Sequence, residues 1–171
     1  MTGAPYQLAL HPAFERDLQD LAAEAGRNPA GEARRLLMVT LSALEAVRDG
    51  TIPVRPLDQM SSYPDLSDCN KVYIQTDPNA KPKYRLVWRE RASDTPGEPP
   101  VRQVIQLGER ELGSVYHLAG QRLGRPAGVS MDELMEPQRT DIAAKLSSLS
   151  QPQPQPQPQP QQRTSSLNMD Y

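Results

Sequence analysis

Residues 81–91 read KPKYRLVWRER, a run in which apolar and charged positions alternate. In an extended chain, successive side chains point to opposite faces. One face then carries Tyr84, Leu86 and Trp88, and the other carries Lys83, Arg85, Val87, Arg89 and Arg91. The same period of two recurs in YQLAL (6–10) and in NKVYIQ (70–75), and VRQVIQLG (101–108) is apolar enough to be a central strand. Three other stretches show helical spacing. Phe14, Leu18, Leu21 and Ala25 follow a Pro12 suited to a first turn, and Gly26 marks a stop. Asn28 and Pro29 read as the cap and first turn of a second helix, whose stripe is Leu37, Leu41, Leu44 and Val47 and whose end is Gly50. Leu112, Val115, Ala119 and Leu123 define the inward face of a third. The proline-rich run 51–68 and the segment 92–100 read as loops, and 77–82 as a turn. The order is β-α-α-β-β-β-α. It predicts an α+β domain with helices packed on one side of a mainly antiparallel sheet of about four strands.

The pattern ends near residue 125. From Gln151 the chain reads QPQPQPQPQPQQRTSSLNMDY, which has no face to bury and favours extended polyproline geometry. The expected division is a domain over 1–125 and a Pro/Gln-rich, largely disordered tail over 126–171, with short helical turns at most in MDELM and TDIAAKL. Only 37% of the 171 residues are hydrophobic, with one Phe and one Trp, so the core must be modest and mostly aliphatic.

Charge changes the picture more than composition does. The net charge is −2, but residues 1–68 hold six basic against ten acidic side chains and residues 69–125 hold ten against six. The excess of cations is local, as for an anion-binding patch. A single cysteine, Cys69, excludes an internal disulfide framework, and two histidines offer no metal constellation. With no signal-peptide pattern and no apolar run of membrane-spanning length, a cytoplasmic protein that binds neither membrane nor metal is expected.

Lys71 and Tyr73 share a strand face, the cations of 83–91 share a face of the neighbouring strand, and Arg110 and Tyr116 flank the start of the last helix. If these faces coincide, Lys71, Arg85, Arg110 and Tyr116 surround one surface that repels itself and wants a polyanion. Tyrosines among the cations suit stacking on unpaired RNA bases. Tyr73, Lys83, Arg89 and His117 are the expected RNA contacts around that surface. His117 is also a lower-ranked candidate acid or base.

The pieces PDLSDCNKVYI, YRLVWR and VIQLGERELGSVYHLAGQRL, in that order and after a helical pair, resemble the RelE/ParE toxin superfamily, especially its RelE-type branch that cleaves messenger RNA. The resemblance covers residues 5–124. It implies a toxin of a type II toxin–antitoxin system that cuts ribosome-bound messenger without metal or cofactor, leaves a 2′,3′-cyclic phosphate, and has a cognate antitoxin. By position Lys71 matches the first of the family's two lysines, Arg85 and Arg110 its arginines, and Tyr116 its helix tyrosine. Tyr73 stands where the second lysine would be, a departure that either lowers activity or is made good by Lys83 from the adjacent strand. Tyr116 is then a base or a stacking residue, its pKa expected to be pushed down by the surrounding cations.

Plainer roles compete. Lys71 can keep an edge strand soluble, Arg89 and Arg91 can form a solvated face, Arg110 can pair with Glu109 or Glu111, and Tyr116 can be core. Cys69 reads as an inert thiol and His11 as a helix-start residue. Two other functional classes stay open: a ParE-like inhibitor of DNA gyrase, and a non-catalytic interaction module on the same fold.

Overall fold

The computed structural model describes residues 3–130 and Glu133. The Pro/Gln tract and the turns expected in 131–147 lie outside the described residues. Four strands, β1 (Gln7–Leu10), β2 (Cys69–Ile74), β3 (Tyr84–Arg91) and β4 (Val101–Glu109), form one sheet in the order β1-β4-β3-β2. The β2–β3 and β3–β4 pairs are antiparallel, and β1 lies parallel to β4 at the edge. Between β1 and β2 run the helices α1 (Pro12–Arg27) and α2 (Glu32–Asp49), and α3 (Ser114–Arg122) follows β4 after a 3-10 turn at Glu111–Gly113. The fold is α+β, with three helices and a mostly antiparallel four-stranded sheet. Among the described residues, no helix is long and apolar enough to cross a membrane.

The helices do not share one side. Tyr84, Leu86 and Trp88 of β3 pack with Val72, Ile74 and Val104 against Phe14 of α1 and Ala43, Leu44 and Val47 of α2. The opposite face carries a second cluster, in which Val87 and Ile105 meet Val115 and Ala119 of α3 and Leu57 and Leu66 of the long loop. Alternation along β3 therefore describes a strand buried on both faces. The charged face is a covered face interrupted by cations. A register shift at Val87/Trp88, opposite Ile105, turns the far end of the strand, and past it Arg89 and Arg91 emerge to the surface.

Other departures are local. Gly26 lies inside α1, and Asn28 closes that helix, its N–H donating to the Glu24 carbonyl at 3.1 Å. The Asn28 carbonyl then accepts from Gly31 N–H at 3.0 Å, a turn that delays α2 to Glu32, with Gly31 as its cap. Along α2, Leu41 faces solvent and Thr40 is buried in its stead. Leu112 was expected to face inward but is 92% exposed, because it sits in the 3-10 turn at φ 58° and precedes the helix. Gly50 ends α2 in the left-handed region, as expected. The loop before β2 is partly ordered as a strand-like rim: Leu57 N–H donates to Cys69 O at 3.0 Å and Lys71 N–H to Arg55 O at 2.9 Å. His11 caps α1 by accepting from Ala13 N–H at 3.1 Å.

One buried cation ties the first layer together. The Arg102 guanidinium lies between the rings of Tyr6 (3.5 Å) and Trp88 (4.6 Å), donates to the Val47 carbonyl in the last turn of α2 (3.1 Å) and pairs with Glu90 (3.2 Å). Two aromatic faces and a helix C-terminal carbonyl together compensate its desolvation. Arg102→Ala should lower unfolding free energy by about 2–3 kcal/mol, since it empties the site and orphans those partners. Arg102→Lys should recover less than half of the loss, lacking the flat fork. Urea denaturation checks both, and a loss of under about 1 kcal/mol for alanine would contradict this role.

Candidate functional site

Beyond the second core cluster, on the same sheet face, β2 contributes Lys71 and Tyr73, β3 contributes Arg85, and the β4–α3 connection contributes Arg110 and Tyr116. These five, with Lys81 and Pro82 of the β2–β3 turn, line one open concavity of about 360 Å³. The four residues expected to carry chemistry are thus brought together. Register explains part of it, because Tyr73 lies opposite Arg85 and Arg85 opposite Gly108 in the paired strands. Gly108 leaves room over the sheet, where an added Cβ would press on Val115 of α3 at 3.3 Å.

Arg85 is only 5% exposed, and its Nη1 donates to the carbonyls of Pro82 (3.0 Å) and Tyr84 (2.9 Å). Its guanidinium covers the Tyr73 ring at 4.2 Å, and Arg55 approaches the same ring at 4.9 Å. Burial pulls the Arg85 pKa down and the charge of Arg110 adds to this, partly opposed by the Tyr116 hydroxyl. The group still stays cationic at neutral pH. For Tyr116, burial pushes the pKa up and outweighs the opposing influence of Arg85 and Arg110. The expected downward shift is therefore overturned: desolvation of a half-buried phenol exceeds the pull of its two cations, so Tyr116 is a proton donor at neutral pH.

Lys71, Lys81, Arg55, Arg85 and Arg110 make no ion pair among the described residues. Arg110 in particular pairs with neither adjacent glutamate. The remaining expected contacts lie outside this concavity. Lys83 pairs with Glu109 at 3.1 Å and leans over the Tyr84 ring at 5.4 Å, so it does not replace the missing lysine; Lys81 is the cation in the wall. Arg89 is bonded to Gln103 at 3.0 Å and lies 4.0 Å from Asp68. His117 is exposed and stacks on Tyr63 at 4.8 Å.

Arg55, Tyr63, Lys81 and Arg125 were not legible as site residues. Arg55 and Tyr63 sit in a proline-rich loop without periodicity, and Lys81 precedes its strand. Arg125 carries a long-range link that no local pattern reveals. It is buried, and its guanidinium grips Asp68 through Oδ1 (2.5 Å) and Oδ2 (2.9 Å) and donates to the Asp65 carbonyl (3.1 Å). Pairing continues past residue 125, as Ala127 bridges to Pro64 and Gly128 N–H donates to Tyr63 O at 3.3 Å. These contacts fix the loop that leads into β2 and Lys71. Cys69, buried beside them, has its thiol pushed up to about 12 by burial and by Asp68, which leaves it unreactive.

No family model, curated protein or solved structure matches the chain.

Burial pushes the Asp68 carboxyl up, but the hydrogen bonds and charge of Arg125 outweigh it and hold the pKa below the usual value. A depressed carboxylate contributes stability above its unfolded pKa, near ~3.9, and loses it as pH falls through the lower folded value. In an acid titration followed by circular dichroism, the wild type should lose stability across that interval. Asp68→Asn should be less stable at neutral pH and show a flatter acid limb. Superimposable acid profiles would contradict the link.

Proposed function

We propose that this protein is a RelE-like endoribonuclease that cleaves messenger RNA, in the cytoplasm and on the ribosome, as the toxin of a type II toxin–antitoxin pair. The observation that carries the reading is that Lys71, Arg85, Arg110 and Tyr116 line one concavity whose cations have no carboxylate partner among the described residues. A cluster of uncompensated cations is stabilised by an anion of several charges, and an RNA phosphate with its neighbours supplies one.

RNA brings its own nucleophile. The ribose 2′-oxygen attacks the adjacent phosphorus, the bond to the 5′-oxygen breaks, and the products are a 2′,3′-cyclic phosphate and a 5′-hydroxyl. Arg85 and Arg110 meet the charge that grows on the phosphoryl oxygens. Because two carbonyls already fix one Arg85 nitrogen, little reorganisation is needed at the moment of reaction. Lys71 adds positive charge on the far wall. The 2′-hydroxyl proton leaves to water, and Tyr116, protonated at neutral pH, donates to the departing 5′-oxygen. A weak acid and no strong base leave orientation of the substrate to supply much of the rate, which fits a substrate held by the ribosome. An antitoxin with an acidic segment would silence the site by occupying the same cations.

Tyr73 favours one rival. With the Arg55 and Arg85 guanidiniums over its ring, it puts an aromatic side chain in the place of the family's second lysine and takes a cation out of the site, which suits an RNA- or protein-binding module without turnover.

End-mapped cleavage of a defined messenger, free and ribosome-loaded, separates these readings. Wild type should cut on ribosomes and leave 5′-hydroxyl ends, while Arg85→Ala and Arg110→Ala should each lose about 10²- to 10³-fold in rate. Folded protein that cuts neither substrate would sink the nuclease and direct attention to gyrase binding or the interaction module.

A further inference from the structure

Among the described residues, the left-handed region holds Gly50, Gly97, Gly113, Gly124, Gly128 and one residue that is not glycine, Leu112 at φ 58°. A side chain there crowds its own backbone, a cost that glycine escapes. Packing does not offset it, because Leu112 is 92% exposed. The contrast with the next residue is informative. At Gly113 any Cβ would run into the Tyr63 side chain, so glycine is required. At 112 the side chain meets solvent, and the chain keeps a strained, bulky apolar residue where glycine would fit without strain. Strain held in this way points to function.

The turn that carries Leu112 is braced to both neighbouring elements. Arg110 N–H donates to the Lys83 carbonyl at 2.9 Å, Gly113 N–H to the Arg110 carbonyl at 3.0 Å, and the Ser114 hydroxyl to the Glu109 carbonyl at 3.3 Å. Leu112 lines a trough of about 470 Å³ together with Lys81, Pro82, Lys83, Arg110 and Glu111. Lys81, Pro82 and Arg110 also line the cation concavity, so the trough continues it. Residues two apart in a chain lie at most ~7 Å from each other. A strand with a phosphate on Arg110 therefore brings an adjoining base step within reach of Leu112.

We propose that Leu112 is an apolar wedge, which enters a base step of single-stranded RNA beside the phosphate held by Arg110 and unstacks it. The inference rests on the RNA reading of the concavity. In a stacked strand the ribose 2′-oxygen is out of line with the bond that must break. Splaying the two nucleotides turns that oxygen to the side of phosphorus opposite the 5′-oxygen, the geometry from which attack proceeds. An inserted apolar side chain is a general means of unstacking nucleic acid bases, and it works on base faces of any sequence. Glycine at 112 would relieve the backbone and remove the wedge.

The test uses the full chain and a trinucleotide of adenines with 2-aminopurine at its centre, a base that fluoresces more brightly when unstacked. Either step of this probe involves the reporter, and 2′-O-methyl sugars prevent cleavage. Wild type at low salt should bind and brighten it. Leu112→Gly should bind within about threefold of wild type, since the cations remain, but leave the reporter as dim as in free RNA. Leu112→Met should restore the brightening. In urea denaturation the midpoint of Leu112→Gly should lie above that of wild type, because strain is lost and no packing with it. A bound reporter that stays dim with wild type, or brightens equally with Leu112→Gly, would overturn the wedge and leave the RNA reading standing. A lower urea midpoint for Leu112→Gly would overturn it too, by showing that the side chain supports the fold. No binding by folded wild type would overturn both the wedge and the RNA reading beneath it.

Discussion

The structure depends on β3 being buried on both faces. Its neighbours β2 and β4 take its backbone hydrogen bonds, α1 and α2 cover Tyr84, Leu86 and Trp88, and α3 with the long loop covers Val87. A strand so enclosed has little freedom to slip, because a shift of one residue would carry Arg85 onto the face that packs against α1 and α2. Arg85 inherits that rigidity. It occupies a core position in a core strand, so its guanidinium is held by carbonyls of its own chain and emerges at a single point, above the Tyr73 ring.

Around that fixed cation the fold gathers others without neutralising them. Three enclosed arginines elsewhere in the domain are compensated: Arg102 by Glu90, two rings and a carbonyl, Arg122 by Asp17, and Arg125 by both oxygens of Asp68. Uncompensated charge costs stability through mutual repulsion, and Lys71, Lys81, Arg85 and Arg110 concentrate it in one concavity. The same crowding sets the chemistry of Tyr116. Burial outweighs two neighbouring guanidiniums and raises its pKa, so Tyr116 stays a proton donor.

Much of this was readable in the chain. Alternation in 84–88 and the apolar content of 101–107 identified the central strands, and Gly50 marked the end of α2. Lys71, Arg85, Arg110 and Tyr116 came together because strand periodicity and a short β–α connection are local rules. What could not be read was non-local. That α3 crosses to the other face follows from its packing on Val87 and Ile105, and Leu112 was misassigned because a left-handed leucine violates the helical pattern it imitates. Arg102 and Arg125 looked like ordinary surface charges, since their partners lie 55 and 57 residues away in sequence. Lys83 was judged by strand parity alone, and its pairing with Glu109 draws it away from the site.

The central claim is that the Lys71–Arg85–Arg110 concavity binds RNA through its phosphates. Affinity for a short single-stranded RNA as a function of salt tests it most directly. The account predicts that log affinity falls linearly with log salt, and that Lys71→Ala and Arg110→Ala each weaken binding and reduce the slope by about 0.7, one phosphate contact apiece. Binding that is insensitive to salt, or a slope unchanged by both substitutions in folded protein, would contradict it.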